Sequence, residues 1–271
     1  MERELPQPDR DRLSVLTALV LLTYALLRVV VLPALSVEFS LLGLLIRFNA
    51  DTSLVLLTLA AALTAAGADW LIRSHPWWKP GQSTIAHLVV PALAAMVIGA
   101  ILIRIPEGLG WWLGLLLGAA LLVALLATEF VVFDPDDPRH EGASVGLTAL
   151  AYLLLVAALF ALLATGPRAT FSVPLVFGAC ALVSWRLLRL QQPHVAVSIY
   201  AGLIGIVAAQ IAWGLHYWPL PPLRTALLLA LGVYLGTGLV LAHLRREIHR
   251  ATGLEFLVLG GIALAGILLF T

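Results

Sequence analysis

Charge is what this sequence has least of. Asp, Glu, Lys and Arg make up 11% of its 271 residues, where soluble globular domains carry about 25%. A water-soluble fold of this length needs a polar surface that these residues cannot supply, so that class is excluded. Lysine occurs once, as Lys79, against fifteen arginines. The net charge of +1 leaves no basic face to neutralise phosphates, which excludes nucleic acid as a partner. The single cysteine, Cys180, lies in an apolar stretch, so no internal disulfide and no Cys-based zinc site can form. It reads as a small apolar residue of a helix. Long polar stretches are missing too, and no separate soluble domain is expected. Residues 1–12 carry charges of both signs and precede a long apolar run. That run lacks a short hydrophobic core followed by a small-residue cleavage site, and it reads as a retained first span rather than a cleaved signal peptide.

What is present is apolar. Hydrophobic residues make up 61% of the chain and the mean hydropathy is +1.02. A helix needs about 20 apolar residues to cross a hydrocarbon core of roughly 30 Å. On that rule nine spans are expected, near 13–34, 53–72, 84–104, 109–131, 145–165, 171–190, 195–215, 223–244 and 253–270. A β-barrel is the other spanning solution, but runs such as Leu113 to Leu126 lack the alternation that barrel strands require. The expected fold is therefore all-α, a polytopic transmembrane helix bundle forming one integral membrane domain over 1–271. The segment 36–50 has too short an apolar centre to span and contains Glu38 and Arg47, so it is expected to be an interfacial or re-entrant helix.

Positive residues favour the cytoplasmic side. With nine spans and the N-terminus inside, the inner side collects Arg3, Arg10, Arg12, Arg73, Lys79, Arg139, Arg186, Arg189, Arg245, Arg246 and Arg250. The outer side receives Arg28, Arg47, Arg104, Arg168 and Arg224, a ratio of eleven to five. A tenth span at 36–50 would weaken this to ten to six at best. The N-terminus is therefore expected inside and the C-terminus outside. Aromatics agree, with Trp70, Trp77 and Trp78 at an inner boundary and Trp111, Trp112, Trp213, Tyr217 and Trp218 at outer ones. Pro91 and Pro174 fall inside spans three and six, where a kink is expected.

Ionisable groups within a membrane are costly and mark function by default. Asp69 and Arg73 are four apart on one helix face and can pair. His87 and Glu129 lie at the same inner depth, and Arg186 on span six is a further member. Asp69, Arg73, His87, Glu129 and Arg186 therefore form a candidate polar pocket facing the cytoplasm, provided their helices are neighbours; a helix-end ion pair is the plainer account of the first two. Arg28, Gln210 and His216 are candidates for an outer-side site. Arg28 either snorkels to the outer surface or serves as an internal ligand or ion-pair partner, and Gln210 reads as an interhelical hydrogen-bond donor. The loop 133–144, FDPDDPRHEGAS, gathers Asp134, Asp136, Asp137 and Glu141. These acids suit either a divalent cation or an ordered turn with Ser144 as helix cap. No residue is assigned to catalysis: there is no HExxH and no pair of aspartates within spans. No metal or cofactor is expected.

Gly110, Gly114 and Gly118, and again Gly232 and Gly236, repeat at the spacing that lets helices approach closely, within the chain or between copies. A homo-oligomer or a membrane-protein partner through these faces is one expectation, beside the lipid bilayer itself. The segments GADWLIRSHP at 67–76, EFVVFDPDDPRH at 129–140 and LHYWPLPPLR at 215–224 resemble an uncharacterised family of bacterial multi-pass membrane proteins frequent in Chloroflexota. The resemblance implies a bacterial inner membrane and supplies no catalytic residue. Three functions compete: a non-catalytic membrane subunit or scaffold, a transporter or channel-like protein for a small solute or lipid, and an intramembrane enzyme on a lipid-linked substrate.

Overall fold

Backbone polar groups in hydrocarbon find no water, so an apolar chain must satisfy them within each segment, and a helix does this. The apolar runs do so in the structure, a computed structural model that describes residues 6–30, 35–41, 44–50, 52–192, 195–247 and 250–270. The helices are α1 (Arg10–Val29), α2 (Thr52–Ile72), α3 (Val89–Arg104), α4 (Leu109–Val132), α5 (His140–Leu163), α6 (Ala169–Gln191), α7 (Ser198–His216), α8 (Pro222–Leu244) and α9 (Arg250–Phe270). A 3-10 turn, Ile85–Leu88, leads into α3. Eight helices, α1 to α8 with that turn included, are long and apolar enough to cross a membrane, and α9 carries a shorter apolar stretch, Gly253–Leu269. The expected spans fall one to one on these nine helices. α1 ends at Val29, where Val30 turns to extended backbone; positions 31–34 of the first expected span lie outside the described residues.

The segment 36–50 departs from expectation. It is not an interfacial or re-entrant helix: its backbone forms an antiparallel hairpin of β1 (Leu35–Leu41) and β2 (Leu44–Ala50). The register runs from Leu35 opposite Ala50 to Leu41 opposite Leu44, and makes Glu38 and Arg47 Cα partners. The reason is in the pattern. LSVEFSL alternates apolar and polar residues with period 2, and the apolar positions include Val and Phe.

The chain forms two compact units, Met1–Ala143 and Ser144–Thr271. In the first, α1 packs on α2 and α4, α2 on α3, and α3 on α4. Apolar side chains gain little by leaving lipid for protein, so such contacts rest on close packing and internal hydrogen bonds. Tyr24 of α1 donates its hydroxyl proton to the Ala95 carbonyl of α3 at 2.7 Å. The glycine motif of α4 is used between helices of this unit: a Cβ on Gly118 would lie 2.6 Å from Cγ2 of Ile98, and one on Gly114 3.1 Å from Cδ2 of Leu102.

Pro91 stands where the 3-10 turn passes into α3. It is the third residue of α3, where its missing N–H costs nothing. Its ring would meet the His87 carbonyl in a continuous α-helix, and the chain there winds as the tighter 3-10 turn. Pro174 does lie inside α6.

In the second unit α6 packs on α7, α7 on α8, α8 on α9, and α6 also on α8. Tyr152 ties α5 to α8: its hydroxyl is 2.6 Å from that of Thr237, and its ring stands 5.7 Å from Tyr234. The α6–α7 contact depends on small residues of α7, with Ala201, Gly205, Ala208 and Ala212 buried. A Cβ on Gly205 would stand 2.8 Å from Cβ of Ala181 and 3.1 Å from the Phe177 carbonyl oxygen, so glycine is required. Among the described residues α9 packs on α8 and leaves Leu257 72% and Ile262 66% exposed.

Candidate functional site

One end of the first unit gathers many of the polar side chains among its described residues. There the C-termini of α2 and α4 meet the start of α3 and of α1. Asp9 caps α1, accepting from the backbone N–H of Asp11 at 2.9 Å. Arg12, one turn in, donates to the Trp70 carbonyl at 2.9 Å and stacks 4.8 Å over the Trp70 ring, which fastens α1 to the end of α2.

Asp69 and Arg73 pair at 2.7 Å across one turn of α2. The buried Thr84 hydroxyl also donates to Asp69, which ties the segment before α3 back onto α2. The chain between them is a run of turns. Ser74 bonds the Leu71 carbonyl at 2.6 Å, Trp78 N–H bonds the His75 carbonyl at 2.9 Å, and Gly81 takes φ +90°, a conformation that favours glycine. His75 is buried by this path, its ring 4.5 Å from that of Phe130 and 5.1 Å from Phe133.

His87 and Glu129 form the centre. Nδ1 of His87 is 2.8 Å from Oε2 of Glu129, and the Glu129 side chain is 1% exposed. The His87 ring lies 5.5 Å from Phe133. A carboxylate on Nδ1 orients an imidazole and leaves Nε2 as the proton acceptor, so the pair is suited to holding or moving a proton. It equally joins the start of α3 to α4.

The acidic loop is an ordered turn. Asp134 accepts from Asp136 N–H at 3.1 Å, and Asp137 accepts from the backbone of Arg139 at 2.8 Å and from its guanidinium at 3.0 and 2.7 Å. Arg139 reaches the Pro6 carbonyl at 3.2 Å, drawing in the chain before α1. The hydrogen bonds that Arg139 donates to the Asp137 carboxylate hold its pKa above the ordinary value. Helix α5 starts at His140, so Asp137 rather than Ser144 organises its entry. Among the described residues no three His, Cys, Asp or Glu side chains are arranged to hold a metal ion.

Of the expected inner residues, Asp69 with Arg73 and His87 with Glu129 thus sit as two pairs at one end of the first unit. Arg186 belongs to the second unit, where it is 2% exposed on α6. Of the expected outer residues, Arg28 is at the opposite end of the first unit. Its guanidinium donates to the carbonyls of Leu102, at 3.3 Å, and Ile105, and lies 5.6 Å from the Trp111 ring. It caps the C-terminus of α3, where a cation complements the orphan carbonyls. Gln210 and His216 lie on α7 of the second unit, both exposed. His75 and the Tyr152–Thr237 pair were not anticipated. The histidine is the ninth residue of the GADWLIRSHP segment, and Tyr152 and Thr237 are polar residues within apolar helices, which was the available signal.

No curated protein and no solved structure matches the chain. The profile of a family described as "Protein of unknown function (DUF5656)" matches residues 32–270. That stretch holds every helix of both units except α1, together with the two inner pairs, so the chain belongs to the DUF5656 family.

Proposed function

We propose that this multi-pass protein works in the bacterial cytoplasmic membrane as a non-catalytic membrane subunit or scaffold, with its N-terminus cytoplasmic and its C-terminus outside. One observation carries the reading: ionisable residues in the first unit's helices are engaged with neighbours in that unit. Asp69 holds Thr84 and Arg73, His87 holds Glu129, and Arg28 closes the end of α3. Side chains used in this way fix helix positions. The excess of arginine on the assigned inner side supports the orientation.

The division into two compact units, with a buried His–Glu pair in one, favours a second reading as a transporter of a small solute. One experiment separates them. The tagged chain is extracted in mild detergent, then reconstituted alone in liposomes. The scaffold reading expects a stoichiometric membrane partner, retained by Asp69→Asn and Glu129→Gln. A solitary protein whose liposomes carry solute, with flux lost in those two variants, would replace it with the transporter.

A further inference from the structure

A groove runs between α6 and α7 of the second unit, lined by Val173, Phe177, Ile206, Ala209, Gln210 and Trp213, with a volume of about 280 Å³. The two helices are antiparallel neighbours, and the lining residues lie close to the start of α6 and the end of α7. At 1.5 Å per residue they occupy a band roughly 5–15 Å below those helix ends, within one leaflet. All but Gln210 are apolar or aromatic. Gln210 is exposed, and its amide makes no hydrogen bond to any described residue.

An amide at this depth is far from water, and an unmade hydrogen bond there is costly. The groove carries no charged side chain, so it offers nothing to a headgroup. It offers apolar walls to a chain, one amide to a carbonyl, and the 56% exposed Trp213 between that amide and the helix end. In a bilayer the hydrogen-bond acceptor nearest the hydrocarbon is the ester linkage of an acyl lipid. We propose that this groove binds an acyl lipid, its chain against Phe177 and Ile206 and its ester carbonyl accepting from the side-chain N–H of Gln210. Recognition is by the ester and the chain, and is indifferent to headgroup charge.

The test uses the full chain in nanodiscs of phosphatidylglycerol and phosphatidylethanolamine, doped with a phosphatidylcholine bearing a photoreactive acyl chain. Labelled peptides are mapped by mass spectrometry. Labelling is expected on the α6 and α7 peptides that line the groove and to fall about fivefold in Gln210→Leu, the loss of one hydrogen bond in lipid. Because Gln210 is exposed, that variant keeps the wild-type melting temperature. In the wild type an unlabelled diester lipid should compete, whereas its diether analogue, which lacks the carbonyl, should not. Equal labelling in Gln210→Leu, or equal competition by the diether, would mean ordinary boundary lipid and overturn the proposal. So would efficient disulfide formation between two Gln210→Cys chains, because a second copy would then occupy the groove.

Discussion

At the residue scale, the Glu129 carboxylate and the His87 imidazole pair in a buried setting. Removing one partner of a buried pair leaves the other facing a low-dielectric interior, at a cost of several kcal/mol. His87→Ala is therefore expected to lower stability by about 3 kcal/mol, read as a drop in the melting temperature in detergent. Replacing both by apolar residues of similar size, His87→Leu with Glu129→Leu, should cost clearly less than the single change, since no charge is then stranded. A double variant as unstable as the sum of the singles would show that the two side chains act separately. Arg28 is tested on the same scale. Arg28→Met keeps the aliphatic stem but removes the cap on α3 and the stack on Trp111, and should cost about 1–2 kcal/mol. Faster hydrogen exchange confined to the last turn of α3 is the accompanying sign. The Arg139 tie behaves differently with pH. Its pKa is raised by Asp137, so any stability it gives is present below the unfolded value and lost only as pH rises beyond the raised one. Both lie far above neutrality. The melting difference between wild type and Arg139→Ala should thus be the same at about pH 6 and about pH 9.

At the element scale, packing is decided glycine by glycine. Gly205 and Gly202 lie three apart on α7, yet a Cβ would clash with Ala181 and the Phe177 backbone at the first and meet open space at the second. Gly205→Ala is expected to destabilise by about 1–3 kcal/mol through forced separation of α6 and α7. Gly202→Ala should stabilise by about 0.5–1 kcal/mol, because alanine is the better helix former. Opposite shifts in melting temperature check the pair, and two shifts of one sign would mean that helix propensity, not contact, controls α7. These contacts were not readable from the chain. The regular Gly110–Gly114–Gly118 spacing was visible, but the Ala201–Gly205–Ala208–Ala212 stripe is hidden in a helix whose other positions are apolar as well. Helix existence was readable, since each apolar run is long enough to settle its own conformation. The hairpin at 35–50 was missed because its length and its two charges were weighed before its alternation. Depth along a helix grouped Asp69, Arg73, His87, Glu129 and Arg186 at one level, of which the structure pairs Asp69 with Arg73 and His87 with Glu129. Pairing needs to know which helices touch, and one-dimensional depth does not contain that.

At the scale of the whole molecule, the disposition of the termini turns on α9. It is the least covered helix, and its exposed residues do not form one face: Leu254, Leu257, Val258, Leu259, Ile262, Leu264, Leu268 and Leu269 surround it. A helix lying on a membrane surface needs one polar side, which this one lacks between Gly253 and Leu269. That stretch is near the lower limit of about 17 residues for a span. Arg245, Arg246 and Arg250 precede it, and in the proposed orientation they lie on the cytoplasmic side. α9 is therefore expected to cross, making nine spans and an external C-terminus. Alkaline phosphatase fused after residue 271 should be active and a green fluorescent protein at the same place dark. The same reporters fused in the 245–249 turn should give the reverse. A fluorescent C-terminal fusion would put α9 on the inner surface, leave eight crossings, and reverse the assignment of the C-terminus alone.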